Sequence, residues 1–210
     1  MNKIAVIIFA GMQICLFGCE KREPIKADEK AKVLEVEKMF VKAVIEKDKD
    51  AFLRGYADNT VSQSNAAIFY ELLVLHRELF SVINEKFGKE GWSKYRRTEG
   101  GSGDLTSKAA ELELEGIDDY IQTIKLELKH GKAIAWLEPG VDVIYRKEHG
   151  RLIVDIRDDS YSRLDEDNYG QHFINGFHGA IKEVSSPEST IESIAKAYRD
   201  SFNKQVDKEL

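Results

Sequence analysis

The sequence predicts an α+β domain from two periodicities and their order. Apolar residues recur at three- and four-residue steps before and after the middle of the chain, while between Tyr120 and Ile156 they alternate at every second position. With no internal repeat, the order is helices, strands, helices. The expected architecture is N-terminal helices packed on a curved antiparallel meander of about four strands, with a C-terminal helical pair.

The elements follow in order. Lys3, an apolar run from Ile4 to Phe17, Gly18 and then Cys19 have the layout of an export signal over 1–18. Its apolar part is shorter than the roughly twenty residues of a membrane-spanning helix. Residues 19–28 are charged and contain Pro24, which reads as a tether; a single globular domain is expected over 29–210. Val33, Val36, Phe40, Ala43 and Val44 share a helix face, predicting a first helix over about 28–47. Asp50 is the expected N-cap of a short second helix through Phe52 and Tyr56. Residues 60–64 read as a turn. A long helix then runs from cap Ser64 to stop Gly88, with Ile68, Leu72, Leu79 and Ile83 on its apolar stripe.

Residues 91–104, with Arg96-Arg97 and Gly100-Gly101-Ser102-Gly103, read as an exposed loop, and 105–116 stays open between helix and strand. Strands are expected at Ile124 to Lys129, at 132–137, at 141–146 and at 151–156, with turns at His130-Gly131, Pro139-Gly140 and His149-Gly150. In the last strand Leu152, Val154 and Ile156 share one side. An acidic stretch precedes the two final stripes: Phe173, Ile174, Phe177 and Ile181, then Ile191, Ile194, Ala195, Tyr198 and Phe202. Ser186-Pro187 is the expected start of the last helix.

Composition narrows the function. Cys15 lies inside the signal, so the 192 residues left after removal of the first 18 contain only Cys19 and depend on packing rather than disulfides. Loss of Lys3 takes the formal charge from −6 to −7. Nucleic acid is therefore not an expected partner.

Leu16-Phe17-Gly18-Cys19 resembles the lipobox of bacterial lipoproteins. That resemblance implies a diacylglycerol thioether on Cys19, cleavage before it and fatty acylation, palmitate included, of the new N-terminus. The implied partner is the lipid bilayer through Cys19, and the implied location is the cell envelope. In a cell with two membranes, Glu20 rather than aspartate after the cysteine favours the outer one. A plain secretory signal cut elsewhere is the alternative, because Phe17 is bulky for its lipobox position.

Two further stretches are Phe40-Val41-Lys42-Ala43-Val44-Ile45-Glu46-Lys47-Asp48-Lys49-Asp50-Ala51-Phe52 and His149-Gly150-Arg151-Leu152-Ile153-Val154-Asp155-Ile156. With the helix and strand order, they are similar to the nuclear transport factor 2-like superfamily. Leu152 stands where that family commonly has tryptophan, and the C-terminal helices are additional. The resemblance implies a sheet wrapped on helices around a cone-shaped pocket, a fold that serves isomerases, dehydratases and non-catalytic binders. Acids and phenols facing such a pocket are the groups that could transfer protons. Tyr56, Asp142, Tyr145 and Asp155 are the candidates.

Other constellations give less. His172 and His178 are six apart, about 240° around a helix, so they do not share a metal. Asp165 to Gly170 lacks the third oxygen ligand and the closing glutamate of a calcium loop, with Tyr169 and Gly176 in those places. No G-x-S-x-G occurs, and Gly100 to Asp104 has no strand before it. No metal or cofactor is expected. His76 reads as a core or rim histidine, while Trp92 and Trp136 either pack or line a ligand site. The leading expectation is a membrane-anchored extracytoplasmic lipoprotein whose soluble domain binds an envelope protein or small ligand without catalysis. The alternative is a pocket enzyme of the isomerase or dehydratase type.

Overall fold

The structure is a computed structural model that describes residues 22–99, 108–138, 141–154 and 169–203. Among these residues, seven α-helices accompany an open four-stranded antiparallel meander with a two-residue strand added at one side. The α+β class, the meander and the C-terminal helical pair are as the periodicities predict.

Helix α1 (Lys30–Glu46) buries Val33, Glu37, Phe40, Val41 and Val44, residues whose three- and four-residue steps place them on one face. It ends where Lys47 turns left-handed at φ 57° and its N–H closes onto the Ala43 and Val44 carbonyls. Asp48, rather than Asp50, then caps α2 (Lys49–Leu53), accepting from the Ala51 N–H at 2.9 Å. The sharp reversal at Lys47 brings the earlier aspartate into capping position. α3 (Thr60–Phe87) also starts before the expected Ser64, because Asn59 accepts from the Ser62 N–H at 2.9 Å. The polar residues 60–64 are its opening turns. Gly88, at φ 72°, ends it as expected.

The expected loop over 91–104 is helical as far as Glu99, in α4 (Lys89–Glu99). Gly91 serves closeness there, since a Cβ on it would stand 2.5 Å from Phe87 Cβ. Trp92 and Tyr95, three residues apart, turn into a core. The described part of 105–116 is helical too, with 3₁₀ turns at Lys108–Glu111 and Leu114–Gly116. They lead into α5 (Ile117–Thr123).

Strand β1 (Arg22–Glu23) precedes all the described helices. The meander is β2 (Lys125–Lys129), β3 (Lys132–Glu138), β4 (Val141–Glu148) and β5 (Arg151–Val154), each antiparallel to the next. His130-Gly131 and His149-Gly150 have φ of 51° and 76°, and of 49° and 77°. Positive values at both positions are the type I′ geometry that matches strand twist. The register sets Leu128 against Ala133, Ala133 against Tyr145 and Tyr145 against Val154. These residues face the helices α1, α2, α5 and the first half of α3 in one core. Leu152 and Val154 share that side as predicted, but Ile153 on the other side is buried as well. Ile156 lies outside the described residues.

The segment read as a tether belongs to the fold from residue 22 onward. β1 pairs antiparallel with β4, Arg22 against Glu148 and Glu23 against Lys147, while β5 takes the opposite side of those same residues. β4 runs on past its pairing with β3, which ends at Tyr145 opposite Ala133, and its exposed backbone groups there attract a partner. Pro24, lacking an N–H, suits such an edge. Ile25 is buried, its N–H donating to the Gly131 carbonyl at 2.9 Å. Lys147 adds ion pairs to Glu29 at 2.9 Å and Glu23 at 3.5 Å.

A second core lies among helices. α6 (Tyr169–Val184) and α7 (Ile191–Asn203) pack with α4 and the second half of α3 around Leu79, Ile83, Phe177 and Ile194. α7 starts at Ile191, not at Pro187, because Thr190 and Ser193 cap each other. The Ser193 N–H donates to Thr190 Oγ1 at 3.1 Å and the Thr190 N–H to Ser193 Oγ at 3.0 Å, with Pro187 left in the connecting turn. α3, 28 residues and about 42 Å long, contributes to both cores. No helix among the described residues is long and apolar enough to cross a membrane.

Candidate binding site

Glu37 occupies a place in the α1 stripe where the spacing of Val33, Phe40 and Val44 favours an apolar residue, and it is 4% exposed. A carboxylate that deep needs a partner. Tyr145 of β4, fully buried, supplies it by donating its hydroxyl to Glu37 Oε1. Ala133, opposite Tyr145, and Ala135 are also fully buried. Their small side chains leave the phenol and the acid room between sheet and helix.

Beside this pair lies a cavity of about 40 Å³, lined by Glu37, Tyr56, Tyr120 and otherwise by apolar side chains of α1, α2, α3 and β4. It has space for about two or three water molecules, and a benzene-sized occupant would need it widened toward roughly 150 Å³. Phe69 and Val143 in its wall are only partly buried, so the wall has freedom to move.

Burial dominates the electrostatics. It pushes Glu37 up to about 7, although the Tyr145 hydrogen bond pulls the other way. Burial first, then the Glu37 charge, hold the Tyr145 phenol well above its ordinary value, and Tyr56 and Tyr120 add to this. Near neutrality Glu37 is thus divided between acid and carboxylate while Tyr145 stays a hydroxyl. Glu37, which lines the cavity, can thus both donate to and accept from an occupant.

Stability follows this titration. Glu37 holds its proton more tightly in the fold than in the unfolded chain, so its contribution is complete below about pH 4.5 and is lost as the pH rises through 7. The loss is on the order of 3 kcal/mol. Glu37→Gln should flatten the decline in Tm between pH 5 and 8, measured by thermal denaturation across that range. An unchanged slope would show that Glu37 titrates normally.

Of the residues proposed from sequence, Tyr56 and Tyr145 are brought together here, both buried. The side chain of Asp142, all of Asp155, the side chain of Trp136, and Cys19 lie outside the described residues. Glu37 and Tyr120 were missed. Glu37 carries a readable signal, a lone acid four residues after Val33 and three before Phe40. Tyr120 was hidden by being placed at the start of the strand pattern, whereas it belongs to α5.

His76 forms a second buried cluster, 1% exposed between the rings of Trp92 and Phe177 at 5.2 and 6.0 Å. Its Nε2 lies 3.5 Å from Glu111 Oε1, which also accepts from Trp92 Nε1 at 2.9 Å. Burial pushes Glu111 up, but the His76 and Trp92 hydrogen bonds win and hold it below the usual carboxylate value. The cluster ties the Lys108–Glu111 turn to the helical core. Trp92 is therefore a packing residue. His172 is buried with Nδ1 3.1 Å from the Phe202 carbonyl, and His178 is exposed. No family model matches the chain, and no curated protein or solved structure matches it either.

Proposed function

We propose that this protein is an envelope lipoprotein, anchored through Cys19, whose domain binds a small, largely apolar molecule bearing one hydrogen-bonding group. The observation that carries the binding role is the Glu37–Tyr145 pair at the end of an apolar cavity. A buried acid and phenol are costly to a core that needs only packing, and their place beside an open space suits a ligand's hydroxyl or carbonyl. The lipobox-like Leu16-Phe17-Gly18-Cys19 supports the anchor.

The binding role is tested with n-alcohols from ethanol to hexanol, followed by NMR shifts of the Tyr56 and Tyr120 rings that line the cavity. Affinity should rise with chain length until the wall can widen no further, and Glu37→Gln should weaken it about tenfold through loss of one charge-assisted hydrogen bond. Shifts that ignore both chain length and Glu37 would exclude the cavity. The anchor is tested by growth with radiolabelled palmitate. The wild-type protein should take up label and Cys19→Ser should not; equal labelling of both would remove the anchor.

One observation favours catalysis as a second reading. A carboxyl poised near 7 is suited to general acid–base work, and the isomerase or dehydratase chemistry implied by the nuclear transport factor 2-like resemblance would use Glu37 with Tyr56 or Tyr120 at the cavity. Proton exchange from an enolisable ketone in deuterated buffer, lost in Glu37→Gln, separates this from binding alone.

A further inference from the structure

We propose that the sheet end carrying the His130-Gly131 and His149-Gly150 turns rests on anionic lipid headgroups. The proposal builds on the anchor at Cys19 and adds the orientation of the domain on the bilayer. The direction of β1 sets that orientation. From Glu23 to Arg22 the chain passes from Lys147 to Glu148, toward the His149-Gly150 turn, so Arg22, the first described residue, stands at that end of the sheet. The His130-Gly131 turn is at the same end, because alternate turns of a meander coincide and the Gly131 carbonyl accepts from Ile25 beside β1.

Covalent geometry then limits the distance. Cys19 is three residues before Arg22, a reach of at most about 11 Å. A free tether over 19–28 would have allowed roughly 30 Å. The strand pairing of Arg22 and Glu23, the buried Ile25 and the Lys147 ion pairs to Glu23 and Glu29 remove that slack.

The surface brought down in this way carries a small excess of positive charge. Lys26, Lys129, Lys132, Lys147 and Arg151 gather at this end with the exposed His130 and His149, against the carboxylates Glu23, Asp28, Glu29 and Glu148, and Lys147 is already paired with Glu23 and Glu29. Without the first 18 residues the chain has a formal charge of −7, so an anionic bilayer attracts this end and repels the remainder. The separation is close to the Debye length of about 10 Å at 0.1 M salt, within which basic side chains are drawn to anionic lipid.

The test uses the full lipidated protein in vesicles of phosphatidylglycerol with phosphatidylcholine, and in phosphatidylcholine alone. Lysines are acetylated briefly and quantified by mass spectrometry. Lys26 and Lys129 should react severalfold more slowly on the anionic vesicles, and the difference should vanish in about 0.5 M salt. Lys182 and Lys196, on α6 and α7, should react alike on both. Equal rates at Lys26 and Lys129 on the two vesicle types would overturn the orientation and leave the anchor standing. A protein that does not remain with either vesicle would overturn the anchor, and the orientation with it.

Discussion

Phe52→Ala should lower the stability of the fold by about 3–5 kcal/mol. The ring is 1% exposed and meets Phe40 at 5.0 Å, Tyr70 at 5.3 Å, Tyr56 at 5.4 Å and Phe69 at 6.2 Å between centroids. Its removal costs the transfer energy of the side chain, the aromatic contacts and the cavity left behind. The effect reaches past the ring. α2 has five residues, too few to be helical without tertiary contacts, and Phe52 is the residue that holds it in the core. Losing it loosens the segment that follows, where Ala57 and Gly55 bond the backbone of Val154 at 2.9 Å. Urea denaturation measures the loss, and saturating benzene should recover part of it by occupying the enlarged cavity beside Glu37. A loss below about 1 kcal/mol would mean that neighbouring rings collapse into the gap and that the aromatic cluster is not a rigid support.

Gly179→Val should cost about 3 kcal/mol through the packing of α6 against α7. A Cβ at Gly179 would stand 2.1 Å from Ser201 Oγ, which can rotate away, but also 2.8 Å from the Ala197 carbonyl oxygen, which cannot. The two helices would have to separate along the face on which a Cβ at Gly176 would likewise stand 2.9 Å from the Tyr198 ring. Helix propensity acts in the opposite direction, since removing a mid-helix glycine is worth about 1 kcal/mol at most. The steric cost is the larger. Chemical denaturation of Gly179→Ala and Gly179→Val should give losses that increase with side-chain size. A gain in stability for alanine would show that propensity wins and that the helices are not in close contact.

The periodicities made the class, the meander and the helix stripes legible, because burial on one face leaves a direct trace in the spacing of apolar residues. Both His-Gly turns were legible for a related reason: few residue pairs accept positive φ twice. Helix starts were less so. Asp48, Asn59 and Thr190 each won the cap from the residue chosen by sequence, and the choice depends on where the preceding backbone turns. α4 was hidden because Gly91 was joined to the glycine run from Gly100 as one loop, when Gly91 marks a close approach to Phe87. β1 was hidden because two residues have no period, and their pairing is set by an unfilled edge more than a hundred residues later. Half of the site was legible in Tyr56 and Tyr145. Glu37 was not chosen because a carboxyl in an apolar stripe looks like an exposed residue at its border until its distant phenolic partner is known.

The placement of β1 also bears on how two copies of the protein behave when they meet. A sheet grows by adding strands at bare margins. Here the margin of β4 beyond β3 is filled by β1, and that of β5 is occupied at Val154 by Gly55 and Ala57. The outer margin of β2 carries exposed Lys125, Glu127 and Lys129, side chains that discourage a further strand. Molecules crowded together on one surface are thus kept from zipping into a shared sheet, and the leading residues of the domain serve as a guard against that aggregation.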